Sequence, residues 1–257
     1  MMALNPEVVR AFDGARDYDR HASVQRQAAE ALAERVGRLP LPSRPDILEI
    51  GCGTGLLSRA LLARLPHARW LLTDVAEAMV ARCAAAIGPR EDVRYAVMDG
   101  EAPELPPAGF DVIVSSFTFQ WFSDLPGSLA RLAGLLRPGG TLAFATMIEG
   151  SFAEWREAHQ TMTGSEPAMN HYPSAHALKA MAPPGLSAHI VEALLVEEHG
   201  NARAFLRSLR AIGAHRPLRP QPPVDAGALR RTMVRFEATG SRISYRVAYA
   251  IMKKGVG

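Results

Sequence analysis

DILEIGCGTGLLSRALLARL, residues 46–65, sets the fold of this chain. A short apolar run over 46–50 is stopped by a turn with glycines at 51, 53 and 55. Leucines at 56, 57, 61, 62 and 65 then recur at helical spacing until Pro66. This order predicts a strand, a tight turn and a helix over 56–65. The rhythm continues outward. RWLLTD (69–74) reads as a second strand, AEAMVARCAAAI (76–87) as a helix ended by Gly88 and Pro89, and VRYAVMD (93–99) as a third strand. FDVIVSS (110–116), LPGSLARLAGLLR (125–137) and TLAFATM (141–147) repeat strand, helix and strand, with Pro138-Gly139-Gly140 closing the helix. Strands alternating with helical segments predict a doubly wound α/β unit around a parallel sheet. HIVEALLVEE (189–198) and ISYRVAYAIM (243–252) read as two later strands that finish the sheet.

A chain of 257 residues and 27.8 kDa, 48% apolar and 21% charged, has the material for one packed domain. Residues 1–45 form a polar N-terminal helical segment and 46–147 the ligand-binding core. Residues 148–188, broken by Gly164, Pro167 and Pro173, read as a helical insertion or lid, and 189–257 as closing strands with a basic segment. HRPLRPQPPV (215–224) reads as an extended surface connection. No apolar stretch reaches the roughly 18 residues that span a bilayer, and the opening lacks a signal-peptide core, so a cytosolic protein is expected. Cys52 and Cys83 fit free thiols, and no residue spacing suggests a metal site. Charge is uneven. Residues 201–257 carry 12 Arg and Lys against Asp225 and Glu237, a balance of +10, whereas residues 1–200 carry 17 against 24, a balance of −7. That asymmetry favours an anionic partner: nucleic acid, an acidic protein or a membrane surface.

The glycine turn follows a strand and opens a helix, which is the setting of a nucleotide-binding cradle. Its spacing, GxGxG, departs from the dinucleotide pattern, and Glu49 beside it would repel phosphate and attract a cationic group. A ligand with an amino group fits better than NAD. Asp74 closes the second strand 25 residues after Glu49. It could accept from ribose hydroxyls or cap the next helix. Asp99 closes the third strand and could accept from an exocyclic amine or organise a turn, with Gly100 and Glu101 offering backbone donors beside it. All sit where strands of open α/β sheets end and ligands bind. Trp121 and Phe122 follow a strand end and could wall a pocket, and Gln120 offers both a donor and an acceptor.

Together LEIGCGTG, the acidic residue after the second strand and RPGG (137–140) resemble class I S-adenosylmethionine-dependent methyltransferases. The fold this implies is a mostly parallel seven-stranded sheet with an insertion after strand five. It further implies that Glu49 contacts the methionine part of the cofactor and that Gly51, Cys52, Gly53 and Gly55 line it. Asp74 would hold the ribose, Asp99, Gly100 and Glu101 would frame the adenine, and Val75, Met79, Ser116 and Gln120 would stand nearby. Segments outside that core, FDGARDYDRHASVQ (12–25), SSFTFQWFSDLPGSLARLAGLLRPGGTLAFAT (115–146), EGSFAEWREAH (149–159), MNHYPSAHAL (169–178) and FLRSLRAIGAH (205–215), resemble the malonyl-acyl-carrier-protein O-methyltransferases of biotin synthesis. In that resemblance Tyr18 closes over the cofactor and the methyl acceptor is a malonyl carboxylate on acyl carrier protein. Arg210 replaces the expected lysine, and His171 the basic residue usual after Asn170.

Arg203, Arg207 and Arg210 recur at helical spacing and form a cationic stripe that suits an acidic carrier protein. Nucleic acid is the lesser candidate, since no aromatic-interleaved basic motif is present. A carboxylate needs no general base, so Tyr18, Gln120, Trp121 and Arg207 are positioning candidates, with Arg207 favoured to hold the carboxylate. Methyl transfer to another small carboxylate or metabolite is the alternative. A non-catalytic module of the same fold is disfavoured by the intact acidic and glycine set.

Overall fold

The computed structural model describes residues 6–15, 17–214 and 225–256, and the connection read at 215–224 lies outside them. The helices are α1 (Pro6–Asp13), α2 (Tyr18–His21), α3 (Ser23–Val36), α4 (Leu56–Leu62), α5 (Glu77–Ile87), α6 (Leu125–Leu135), α7 (Ala153–Thr163), α8 (Ala175–Ala180), α9 (Ala202–Ala211) and α10 (Ala226–Ala238). The strands are β1 (Asp46–Ile50), β2 (Arg69–Asp74), β3 (Val93–Val97), β4 (Phe110–Ser116), β5 (Leu136–Met147), β6 (Leu186–Glu198) and β7 (Arg242–Lys254). They form one seven-stranded sheet in the order β3-β2-β1-β4-β5-β7-β6. Pairing is parallel from β3 to β5, and β7 runs antiparallel to both neighbours. The order reverses between β1 and β4. In such sheets the crevice outside the carboxyl ends of those strands takes the ligand.

Helices cover both faces because the strands are apolar on both. Ile47, Trp70, Leu72, Val112 and Val114 pack with Val24, Ala28, Leu32 and Val36 of α3. On the other face Leu48, Ile113, Leu142 and Phe144 pack with Leu129 and Leu132 of α6. The alternation along β1 puts Glu49 on the α3 face, where it is 1% exposed. At the opposite end of the sheet, Arg137 donates to Asp111 Oδ2 at 2.6 Å and to Asp46 Oδ2 at 2.8 Å. Arg69 holds Asp46 through two bonds of 2.6 Å. Four strands are tied there, and Arg69, with help from Arg137, holds the Asp46 carboxyl below its usual range.

Several boundaries differ from the sequence reading. Helix α4 stops at Leu62 rather than 65, and β3 at Val97 rather than 99, where Met98 turns to donate to the Asp74 carbonyl at 2.9 Å. Strand β5 starts at Leu136 rather than 141, since Leu136 pairs with Phe110 and the strand runs on across a register shift through Gly139, whose φ is +76°. Strands β6 and β7 are longer than read because their antiparallel register runs unbroken from Leu186–Lys254 to Glu198–Arg242. Helix α10 carried no clear sequence signal. It packs with α7, where Trp155 meets Phe205 and Phe236 at ring separations of 5.3 and 5.4 Å. The insertion is further tied to β7, since Ser244 donates its backbone amide to Glu154 at 2.9 Å and Phe152 donates to the Ser244 carbonyl at 2.7 Å.

Candidate active site

The turn after β1 is built so that backbone comes close to a ligand. Cys52 donates its amide to the Thr73 carbonyl at 2.8 Å, continuing the β1–β2 pairing past the strand end. Gly51 has φ of +71°, and a Cβ there would lie 2.1 Å from Thr118 Oγ1. Only glycine fits. Gly53, with φ of +53°, donates to Asp74 Oδ2 at 2.9 Å, and a Cβ on it would point into open space. Ala76 donates to the other Asp74 oxygen, also at 2.9 Å. A carboxylate has about four lone-pair sites, so both oxygens can still accept from a ligand. Burial raises the Asp74 pKa, and these amide bonds oppose the rise.

Two cavities meet across this turn. One, of about 650 Å³, is lined by Asp74, Val75, Met79, Asp99, Gly100 and Trp121 among others. The second, of about 310 Å³, reaches inward past Cys52 to Glu49 and α3. Tyr18, Gly51, Gly53 and Ser116 line both, so the two make one trough from Glu49 to Asp99. Glu49 accepts from the Ser58 hydroxyl at 2.7 Å, and burial pushes its carboxyl well above the usual range. A buried carboxyl in this state gains most from a cationic partner. Tyr18 is likewise raised, by burial and then by Asp74 and Asp19, so its hydroxyl stays protonated.

The N-terminal segment is fastened over the trough. Thr54 donates to Asp19 at 2.5 Å, and Arg82 of α5 donates to the carbonyls of Ala15 and Asp13 at 2.7 and 2.8 Å. Phe12 meets the Trp121 ring edge-on at 5.3 Å. The sequence reading missed these contacts, and it missed Phe12, Met98, Phe117 and Thr118 as lining residues. The aromatic run after β4 was the available signal. Its Phe117 takes φ of +57°, a strained backbone that sets Thr118 against Gly51.

Four sequence-based assignments need correction. Glu101 does not line the trough: its backbone amide, expected as a donor to the ligand, donates to Asp99 Oδ1 at 2.9 Å, and its carboxylate accepts from the Ser123 amide at 2.7 Å and the Ser123 hydroxyl at 2.9 Å, ordering the loop before α6. Gln120 turns to β5 and accepts from Thr146 at 3.2 Å. Gly55 starts α4 behind the trough, where a Cβ would approach Cys83 Sγ at 3.2 Å. Arg207 is exposed and lines none of these cavities, because Phe205, Leu206 and Leu209 turn the other side of α9 inward.

Beyond Trp121 lies a third cavity of about 1540 Å³. Its walls are mostly apolar, among them Met147, Phe152, Trp155, Leu206 and Leu229. His159, Asn170 and Tyr172 supply polarity, and Arg210 is the one Arg or Lys among its described lining residues. No Asp or Glu is among them. Arg210 is exposed, so it stands at the mouth. His159 Nδ1 lies 2.8 Å from the Ser165 carbonyl, and burial raises the Tyr172 pKa so that its hydroxyl remains a donor. Trp121 is thus the wall between an acid-lined trough and an apolar chamber with a cationic mouth.

Comparison with known proteins bears on the family and the fold. Residues 48–142 match a family model described as a methyltransferase domain. The chain is 42% identical over 251 residues to the biotin biosynthesis bifunctional protein BioCD of Bordetella avium, covering 97% of this chain and 53% of that protein. It therefore spans about half the length of that relative. It is 40% identical over 248 residues to the malonyl-acyl-carrier-protein O-methyltransferase of Magnetococcus marinus, covering 95% of this chain and 91% of that protein. Among solved structures, the phosphoethanolamine N-methyltransferase 2 of Haemonchus contortus, determined with S-adenosylhomocysteine, superposes with a TM-score of 0.64 at 15% identity. That match covers 99% of this chain and 61% of the other, and shows the shared fold. The chain belongs to the malonyl-acyl-carrier-protein O-methyltransferase family, within the class I S-adenosylmethionine-dependent methyltransferases.

Proposed function

We propose that this chain transfers the methyl group of S-adenosylmethionine to the free carboxylate of a malonyl thioester on acyl carrier protein, early in biotin synthesis. One observation carries the reading: Trp121 is shared by the acid-lined trough and by the apolar chamber whose mouth bears Arg210. The names of the Bordetella and Magnetococcus relatives support the same acceptor and pathway. Two free cysteines and the absence, among the described residues, of a helix long and apolar enough to cross a membrane support work in the cytosol.

The donor set fits the cofactor. Glu49 would face its ammonium, Asp74 its ribose hydroxyls and Asp99 its adenine amine, while Tyr18 would close the trough from α2. When bound, the cofactor supplies an electrophilic methyl group on a positively charged sulfur. The acceptor carboxylate, with a reference pKa near 4, is ionised at neutral pH and needs no general base. The chain's work is alignment and exclusion of water, by Phe117, Trp121 and Phe122. On the acceptor side, the Tyr172 hydroxyl would donate to the carboxylate inside the chamber. Arg210 at the mouth would meet the phosphodiester of the carrier's arm. Arg203 and Arg207, exposed on the same helix, would attract the carrier's acidic surface, so Arg207 becomes a docking residue.

Two results follow. Glu49 must lose its proton to hold the ammonium, and burial raises its pKa. Cofactor affinity by calorimetry therefore rises with pH above the usual carboxylate range, and Glu49→Gln abolishes that slope; an unchanged slope in the variant contradicts the role. Arg210→Ala raises the KM for malonyl carrier protein about tenfold, roughly 1.4 kcal/mol, and leaves the cofactor Kd unchanged. The effect shrinks at high salt. Equal changes in both constants would remove Arg210 from the acceptor side. The whole reading is tested with labelled cofactor and malonyl carrier protein. Mass spectrometry should find one added methylene at the malonyl end, and transfer only to free acids would overturn the assignment.

A further inference from the structure

We infer that Arg156 is a positioning residue for the methyl acceptor: it fixes the strap over residues 164–174 that walls the chamber, and through it the Tyr172 hydroxyl. The inference rests on the acceptor proposed above. Arg156 lies on α7 and is not among the chamber's lining residues, whereas the strap supplies Pro167, Ala168, Met169, Asn170 and Tyr172 to that wall. The strap is fastened through its backbone near both ends. Gly164, with φ of +71°, donates to the Gln160 carbonyl at 2.9 Å, and Glu149 donates to the Pro173 carbonyl at 3.0 Å. Arg156 holds the middle. Its Nη2 donates to the Asn170 carbonyl at 2.7 Å, its Nη1 to Glu166 Oε2 at 3.3 Å and its Nε to the Ser151 carbonyl at 3.3 Å. Ser151 is in turn anchored to β7, where its hydroxyl accepts from the Arg246 amide at 3.1 Å.

Three separate acceptors need a flat, forked donor. A guanidinium presents its N–H groups in a fixed plane, whereas a lysine ammonium is a single point charge. The Arg156 side chain is 19% exposed, and its carbonyl and carboxylate partners offset the cost of taking the charge from water. One rigid group therefore joins the frame at Ser151 to the strap at Asn170, two residues before Tyr172. Because peptide units are planar, a strap fixed at 170 and 173 leaves Tyr172 little freedom, and its ring lies 6.4 Å from that of Phe152.

The same guanidinium bears on charge. Glu166 is the one carboxylate of residues 164–174, and it adjoins Pro167 of the chamber wall. Paired with Arg156 and 62% exposed, its side chain stays outside the chamber. A carboxylate turned inward would repel the malonyl group. An ion pair this exposed contributes little to stability, so the bond to the Asn170 carbonyl carries the positioning.

The test uses the full chain, S-adenosylhomocysteine as the cofactor probe and malonyl carrier protein as the acceptor. Arg156→Ala should raise the acceptor KM about tenfold and leave the probe's Kd within about twofold. Tyr172→Phe alone should raise the same KM about tenfold, and the double variant should stay near that value rather than reach the roughly hundredfold of independent effects. Glu166→Gln should change the KM less than about twofold. Arg156→Lys should recover little, and it takes the alanine variant's place in the same cycle if that variant fails to fold. With no ligand present, hydrogen exchange over residues 165–172 should quicken in the Arg156 variants and stay unchanged over 46–55. A double variant that multiplies the single effects, a probe Kd that shifts with the KM, or unchanged exchange over 165–172 overturns the inference. Should the unaltered protein leave malonyl carrier protein unmethylated while exchange over 165–172 still quickens in the variants, the acceptor assignment falls and the hold of Arg156 on the chamber wall stands.

Discussion

Asp74→Ala is expected to weaken cofactor binding about 100- to 1,000-fold, roughly 3–4 kcal/mol, while the sheet still forms. The loss has two parts. The ribose would lose its proposed acceptor, and the amides of Gly53 and Ala76, which donate to the carboxylate at 2.9 Å, would lose theirs. A free Gly53 amide lets the turn relax away from the geometry that brings backbone to the ligand. Asp74→Asn keeps one oxygen and should recover part of the loss. Titration calorimetry with S-adenosylhomocysteine checks both, and a change below threefold in the alanine variant would place the ribose elsewhere.

Gly51→Ala should be as damaging, and it should also reduce stability. At φ of +71° an L-residue is strained by about 1–2 kcal/mol. The new Cβ would fall 2.1 Å from Thr118 Oγ1, 2.6 Å from its Cγ2 and 2.8 Å from its Cβ, so the collision is not with a free side-chain end. Overpacking of this kind adds about 1–3 kcal/mol. The sum, about 2–5 kcal/mol, corresponds to a Tm lower by roughly 5–15 °C for a domain of this size. Cofactor affinity should fall at least about tenfold as the turn shifts. Adding Thr118→Ala removes two of the three collisions and should restore part of the Tm. Full restoration would mean that backbone strain at Gly51 is negligible, and no restoration that Thr118 is not the obstacle.

The fold was legible where strands end on residues with a clear reason to stop them. β1, β2 and β4 match their sequence limits, since Gly51 and the turn residues after Asp74 and Ser116 break the extended backbone. β5 was read short because Pro138-Gly139-Gly140 looks like a stop, yet an extended proline fits where its missing amide is not needed by the ladder. β6 and β7 grew by antiparallel pairing, a long-range property that no local window carries. In the site, Glu49 and Asp74 on their strands and Asp99 two residues past the end of β3 line the trough. Residues on loops and helices divide: Tyr18, Val75, Met79 and Gly100 line the trough, whereas Glu101, Gln120 and Arg207 do not. Glu101 lies two residues past Asp99, but its amide turns to the Asp99 carboxylate and its side chain reaches the Ser123 amide. Arg203, Arg207 and Arg210 share a stripe by helical spacing, but tertiary packing decides which of them reaches a cavity. Phe205 is buried against Trp155, Phe236 and Phe152, and that rotation leaves Arg210 at the chamber's rim and Arg207 in solvent.

The same division explains why the catalytic chemistry leaves so light a trace in the sequence. An ionised acceptor needs neither nucleophile nor base, so what remains is shape: Trp121 between two cavities and acidic groups spaced along one of them. A crystal structure of the protein with S-adenosylhomocysteine probes that arrangement most directly. The account predicts the amino acid end against Glu49, the ribose on Asp74, the base beside Asp99 and the sulfur facing Trp121. A ligand lying in the reverse direction, or bound outside the crevice between β1 and β4, would contradict it.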